Sequence, residues 1–403
     1  MPDGLKKHAA ITGIGAVSPL GVGADALHDG WKNGVCAIEN GEAICQDFDP
    51  TSFMSRKEVR RTHRNVQLGI GAADEAIATA WGDKMPYDPE RVSCFLGVAF
   101  GGTDLVCQQH KVYEEQGPDA VWTLTIPLAM ANASPAMMSI RYGIQGETNC
   151  VGSACAAAAQ AIGEGLKAIR LGDADACVVG GSEAPVTPYF QAGFRQAGAL
   201  SKTGLSRPFD RRRDGFVMGE GAGILVLEDP DKARERGANI LGYLAGFAST
   251  TDAHHLTAPQ EDGGMCATAI KRAIADAGLE PEDVDWVNAH GTSTESNDKA
   301  ETAALKNALG ERAYKVPVSG PKSVIGHSIG AAGGVEAVAS VMALRDGTAP
   351  PTIGLEEPDD GLDLNYVPDR AVALEPRNGN GKLVGISNSF AFGGHNATLV
   401  ITT

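Results

Sequence analysis

The sequence lacks the marks of several large function classes. It has no P-loop, and no GxGxxG with an acidic residue at the right distance follows its first strand-like run, which disfavours nucleotide chemistry. No CxxC occurs among the eight cysteines Cys36, Cys45, Cys94, Cys107, Cys150, Cys155, Cys177 and Cys266, so reduced thiols in a cytoplasmic protein are expected. No apolar run approaches the length that crosses a bilayer, so no membrane role is expected. The opening MPDGLKKHAAITGIG has no basic stretch followed by an apolar one, and no signal peptide is expected. Basic residues are short, with 34 Lys and Arg against 50 Asp and Glu and a net charge of −16, which argues against nucleic acid as the main partner.

What is present is glycine, 51 residues of it, in a chain of 403 that is long for one core. Strand-like runs (HAAITGIGAVS, RVSCFLGVAF, ACVVGGS, GAGILVLE) alternate with stretches at helical spacing (NVQLGIGAADEAIATAW, AAAAQAIGEGLKAIRLG, CATAIKRAIADAGL), the pattern of an α/β protein with buried sheets. There is also an internal echo. VSCFLGVAFGGTD precedes Cys155 and an Ala-rich helix; VDWVNAHGTST precedes GPKSVIGHSIGAAGGVEAVASVMAL. This reads as duplication of one α/β unit. The junction falls near residue 243, giving halves 1–243 and 244–403 with no low-complexity linker between them.

Three residues stand out chemically. Cys155, in NCVGSACAAAAQAIGEG, is expected on a helix's first turn, where free N–H groups and the dipole favour a thiolate. A buried, inert cysteine fits that stretch equally well. His290 ends the apolar strand VDWVNAH, and His327 sits in GPKSVIGHSIGAAGG ahead of a helix. Two histidines at Gly-rich corners are hard to explain as packing, and imidazole N–H groups can hold a developing oxyanion. They lack a third ligand at metal-binding spacing, so a metal reading is weak.

With these residues in this order, the chain resembles the β-ketoacyl-[acyl carrier protein] synthases of the thiolase superfamily, in their elongating Cys–His–His form. The motifs are SACAAA, RPFDRRRDGFVMGEGAG, NAHGTSTESND, GPKSVIGHSIGAAG and NSFAFGGHNA, spread over essentially the whole length. The resemblance implies a thiolase-like fold of two α/β halves, each with a five-stranded sheet, in an α-β-α-β-α sandwich. It implies that Cys155 carries an acyl thioester and that His290 and His327 hold the malonyl thioester oxygen during loss of CO2. Lys322 would support His327, and the N–H groups of Cys155 and Phe392 would form the oxyanion hole. Ala391, Phe392, Gly393 and Gly394 match the gating loop, Thr292 and Thr294 the pantetheine contacts, and Phe100, Phe190 and Phe194 the acyl pocket. Lys57, Arg60 and Arg61 match a carrier-docking rim, or else form an ordinary solvated helix face. Asn288, Glu336, Ser387 and Asn388 match a buried site that is either a monovalent-cation site or a polar network without an ion. No other cofactor is implied, because phosphopantetheine arrives on the carrier. Asp298, Glu301, Arg213 and Asp214 read as charges fixing turns.

Four departures from the family pattern matter. Ala391 replaces the first glycine of the gate, which restricts its backbone. Glu295 stands where proline is common, loosening a turn. Asp119 and Ala120 replace a basic pair, leaving the docking rim incomplete. Phe100 and Phe190 replace smaller residues, predicting a pocket that is short or flat. The last two suggest a reducing type II polyketide or polyene ketosynthase, with fatty-acid elongation as the alternative. A degradative thiolase would need a second cysteine near the C-terminus, and a chain-length-factor subunit would lack Cys155. A dimer is implied, either of two copies or with a chain-length-factor-like partner.

Overall fold

The computed structural model describes residues 7–377, 379 and 381–403. Ten strands make the frame: β1 (Ala9–Ser18), β2 (Val92–Gly97), β3 (Thr148–Val151), β4 (Ala176–Glu183), β5 (Gly221–Glu228), β6 (Gly242–Thr251), β7 (Trp286–Asn288), β8 (Val318–Ser319), β9 (Val384–Ala391) and β10 (His395–Thr402). They run in the order β3-β2-β4-β5-β1-β6-β10-β9-β7-β8, and the short strand Gly21–Val22 also pairs with β1. Each half reads the same way from its outer edge: two parallel pairings, then two antiparallel ones. The duplication expected from the sequence is therefore present strand for strand. One feature was not anticipated: β1 pairs with β6 (Ala9 opposite Leu244), so the two five-stranded sheets share one hydrogen-bonded path.

The helices form three layers. α1 (Arg64–Trp81) covers β1 and β5 on one outer face, and α5 (Gly264–Asp276) with α6 (Glu295–Leu309) covers β6 and β10 on the other. Between the sheets lie α3 (Ala157–Leu171) and α7 (Ala332–Asp346), packed against each other. Small residues allow that approach. A Cβ on Gly97 would sit 2.1 Å from the Ala158 amide nitrogen, and one on Gly333 would sit 2.8 Å from that of Ala159. Ala157, Ala158 and Ala159 are fully enclosed, so the alanine run is a packing surface between the halves.

Both central helices start in the same way. A short 3-10 turn, Ala154–Ala156 before α3 and Ile329–Ala331 before α7, opens with a non-glycine residue at positive φ, +49° at Ala154 and +48° at Ile329. Such left-handed residues cost about 1–3 kcal/mol and persist only where the surroundings impose them. Here they aim Cys155 and the His327 turn at each other across the interface between the halves.

Candidate active site

A cavity of about 780 Å³ opens where the two central helices begin. Cys155, His290 and His327 line it, and their Sγ and ring nitrogens lie within 4.8 Å of one another. His327 Nε2 is 3.0 Å from Cys155 Sγ, and the two imidazoles stand edge to face at 5.4 Å and 87°. These atoms would suit a metal by distance, although the spacing did not suggest it. The Lys322 ammonium against His290 opposes a cation there.

The neighbours of each ring fix its tautomer. The Ile329 amide donates to His327 Nδ1 at 3.3 Å, which leaves the proton on Nε2, facing the thiol. Lys322 Nζ lies 3.3 Å from His290 Nδ1, so an ammonium donor there likewise puts the ring proton on Nε2. Burial, then the Lys322 charge, hold both imidazoles well below their ordinary pKa, with His327 adding to the effect at His290. Two neutral rings thus present two N–H donors to the cavity. Lys322 touches His290, and its charge acts on both rings.

Cys155 differs from the thiolate its helix start favours. Its thiol is pushed up to about 12, chiefly by burial, although Lys322 and the N–H groups of Cys155 and Phe392 favour the thiolate. The resting nucleophile is a thiol. The same two amides converge on Sγ.

The cavity has two characters. Thr292, Thr294, Lys202 and Asn297 line its polar mouth. Beyond Cys155 the cavity is lined by Phe100, Phe194, Phe216 and Ile329, with Phe190 and Met218 packed behind them and not on the cavity wall. Phe100 stacks on Phe190 at 4.3 Å, and Phe194 meets Phe392 of the gating loop at 6.4 Å. The Thr292 and Thr294 hydroxyls hydrogen-bond each other at 2.9 Å, and Thr294 also caps α6. Sequence reading missed Lys202, Phe216 (ring 5.4 Å from His327) and the Ile329 amide. Only fold geometry brings those three to the site.

Buried carboxylates hold the loop around His290. Glu301 accepts from the His290 and Gly291 amides at 2.8 Å each, and Asp298 accepts from Phe209 N–H. Arg213 donates to the carbonyls of Thr294 and Glu295 and pairs with Asp359. Asp214 ties down 201–203. The expected loosening at Glu295 is offset, because Thr294 caps the helix and Arg213 holds both carbonyls.

At the gate, Ala391 is the last residue of β9, opposite His395, and the turn is made by Gly393 (φ +83°) and Gly394 (φ +72°). Gly393 N–H donates to the Leu256 carbonyl at 2.7 Å. Ala391 packs against the core, so the turn begins only after it. Ala391→Gly is expected to cost about 0.5–1 kcal/mol of stability in urea titration, through added backbone freedom.

Lys57, Arg60 and Arg61 are exposed on and just after the short helix Arg56–Val59, and none of them lines the cavity. Asp119 and Ala120 lie in an exposed turn. Of the four residues matched to a cation site, Asn288 Oδ1 and Glu336 Oε2 are buried without a partner among the described residues. The Asn388 side chain does not join them, since its amide donates to Glu301 and its oxygen accepts from Thr398. Ser387 is buried beside Asn288 on the neighbouring strand.

Residues 41–233 match the Beta-ketoacyl synthase N-terminal domain, and residues 241–356 match its C-terminal domain. The chain is also 42% identical to the 3-oxoacyl-[acyl-carrier-protein] synthase 2 of Synechocystis sp., with 98% of this chain and 97% of the relative covered. The chain belongs to the β-ketoacyl synthase family. It is accordingly an acyltransferase of the 3-oxoacyl-[acyl-carrier-protein] synthase class with a thiolase-like fold. A second relative, the synthase 2 of Vibrio harveyi, is 38% identical, with 98% of each chain covered. The ishigamide ketosynthase/chain length factor superimposes with a TM-score of 0.90 at 32% identity, covering 99% of each chain. A type II PKS ketosynthase in complex with its acyl-carrier protein and bound to the hexaketide gives 0.87 at 28% identity, covering 98% of this chain and 99% of that one. Among the described residues, no helix is long and apolar enough to cross a membrane.

Proposed function

We propose that the protein condenses an acyl chain held on Cys155 with malonyl-[acyl carrier protein]. The Cys155 sulfur attacks the carbonyl carbon of the incoming acyl thioester, the bond from that carbon to the pantetheine sulfur breaks, and the thiol proton leaves on the pantetheine sulfur. Malonyl thioester then enters by the polar mouth. Its C–CO2 bond breaks, and the electron pair becomes an enolate whose oxygen accepts from His290 Nε2–H and His327 Nε2–H. The enolate carbon attacks the acyl carbonyl, whose oxygen moves to the amides of Cys155 and Phe392. Collapse expels the Cys155 thiolate, which regains a proton from solvent, and β-ketoacyl carrier protein leaves. The observation that carries this reading is the pair of Nε2 donors set beside one half-buried thiol.

The test is a pH profile of malonyl decarboxylation. Two N–H donors that stay neutral should leave the rate flat as pH falls through 6.5, the ordinary imidazole value. A loss of rate centred near that value would contradict the role given to the rings. Stability moves differently. The unfolded imidazoles bind protons below about 6.5 and the folded ones do not, so the rings' own contribution to unfolding free energy declines as pH drops through that range, while the buried carboxyls of Glu183, Glu301 and Glu336, raised to about 7, contribute with the opposite sign.

The stacked Phe100–Phe190 pair favours short or flat, conjugated chains, and hence a reducing polyketide or polyene pathway. Fatty-acid elongation is the second reading, favoured by the likeness to the Synechocystis synthase 2. Equal loading of long saturated and short acyl chains would sink the first. Lys57, Arg60 and Arg61 are offered as part of the surface that meets the acidic carrier. A second subunit, a copy or a chain-length-factor-like partner, would pair at the open edge β3, beside exposed Ile126, Met130 and Ile140. A monovalent cation fits the unpartnered oxygens of Asn288 and Glu336; there it would offset the buried carboxylate.

A further inference from the structure

Glu183 ends β4 and is wholly buried, yet it is neither a ligand of the cavity nor paired with a base. Its Oε2 accepts from the Ala99 and Phe100 amides at 2.6 and 3.1 Å, and its Oε1 from the Gly101 amide at 2.9 Å. It therefore grips the loop that carries Phe100, the ring stacked on Phe190 at the apolar end of the cavity. The same carboxylate backs the His327 turn, since a Cβ on Gly330 would lie 2.6 Å from Oε2. Burial pushes Glu183 up to about 7, and the three amides and His63 act against that rise.

The duplicated fold carries this device twice. β2 and β7 are equivalent strands in the two halves, and the loop after each is clamped by a buried carboxylate. Glu301 holds the amides of His290 and Gly291; Glu183 holds those of Ala99, Phe100 and Gly101. In one half the clamped side chain does the chemistry. In the other it is a ring that closes the floor of the cavity.

We propose that Glu183 is a positioning residue that sets the acyl-chain length the enzyme accepts, by clamping the loop that holds Phe100 against Phe190. The inference rests on the assignment above of the apolar end to the acyl chain. Three donors need both carboxylate oxygens. A glutamine offers one oxygen, and its NH2 group would face an N–H. The loop would then loosen, Phe100 would swing off Phe190, and the floor would open.

The test loads Cys155 from short-, medium- and long-chain acyl carrier proteins and follows kcat/KM for each by intact-protein mass. Glu183→Gln should raise the long-to-short ratio by about tenfold, the scale of a few methylenes gaining room in an apolar pocket. Gly101→Ala strains the same loop at φ +57° with Glu183 intact and should shift the ratio the same way, so the outcome does not depend on one variant folding. A merely structural role would lower all lengths alike together with Tm, and that result would overturn the proposal. Phe100→Leu separates the two layers of argument. If it shifts the ratio and the Glu183 and Gly101 variants do not, Glu183 has no positioning role. If Phe100→Leu leaves the ratio unmoved, the acyl-pocket assignment itself fails.

Discussion

Cys155→Gln is expected to abolish acyl loading and condensation while malonyl decarboxylation persists. The loss is total because the acyl chain has no other acceptor. Among the described cysteines, only Cys155 lines the cavity. Cys94, Cys177 and Cys266 are buried in the core, and burial drives their thiols up. Decarboxylation survives because its donors are elsewhere: His290 and His327 are held by Lys322, Glu301 and the Ile329 amide, and none of those contacts uses the thiol. The glutamine carbonyl can also take the place of the thioester carbonyl at the amides of Cys155 and Phe392, so the variant imitates the acylated state. Release of CO2 from malonyl carrier protein and mass of the intact enzyme give the two readings. Retained condensation in the purified variant would end the mechanism. Loss of CO2 release from a variant that melts like the parent would show that the histidine pair needs the sulfur.

The frame of this site was legible in the sequence, for a physical reason. Alternating β and α runs and the echo of SACAAA in SIGAAG record a packing demand: two central helices must approach closely, and only small residues permit it. Cys155, His290 and His327 were legible because each sits at a Gly-rich corner, after a strand for Cys155 and His290 and ahead of a helix for His327. The left-handed residues Ala154 and Ile329 were not, since alanine and isoleucine argue locally against positive φ and only tertiary contact imposes it. Nor was the thiol's resting protonation. The helix start that favours a thiolate is visible in the sequence, whereas the burial that outweighs it depends on aromatic rings from distant segments. Glu183 was hidden for a similar reason. At the end of the run ACVVGGS it looks like a polar strand terminus, and its three amide partners lie some eighty residues earlier.

The Lys322–Glu336 pair should produce the second large effect. Both side chains are about 2% exposed and in direct hydrogen-bonded contact, and Glu336 Oε2 has no partner. Burial raises Glu336 to about 7 while the Lys322 charge and hydrogen bond pull it down. Lys322→Met removes the only force opposing that rise. The variant should lose on the order of 3–5 kcal/mol, the usual cost of stranding one partner of a buried ion pair. The sign with pH follows from the carboxylate. Below about 7 Glu336 is neutral in both proteins and nothing is stranded; above it the parent ionises beside Lys322, whereas the variant, its carboxyl pushed higher still, must keep a proton or bury the charge alone. The deficit should therefore grow as pH rises through about 7, and urea titrations at pH 6 and pH 8 would show it. Activity is a separate matter, because Lys322 also donates to His290 Nδ1 and so fixes which nitrogen faces the cavity. The double variant Lys322→Met with Glu336→Leu distinguishes the two. Two apolar side chains of similar volume should recover most of the stability. They cannot restore the donor to His290, so decarboxylation should stay low. Recovery of both would reduce Lys322 to a structural partner of Glu336 and leave the His290 tautomer to be set by something else.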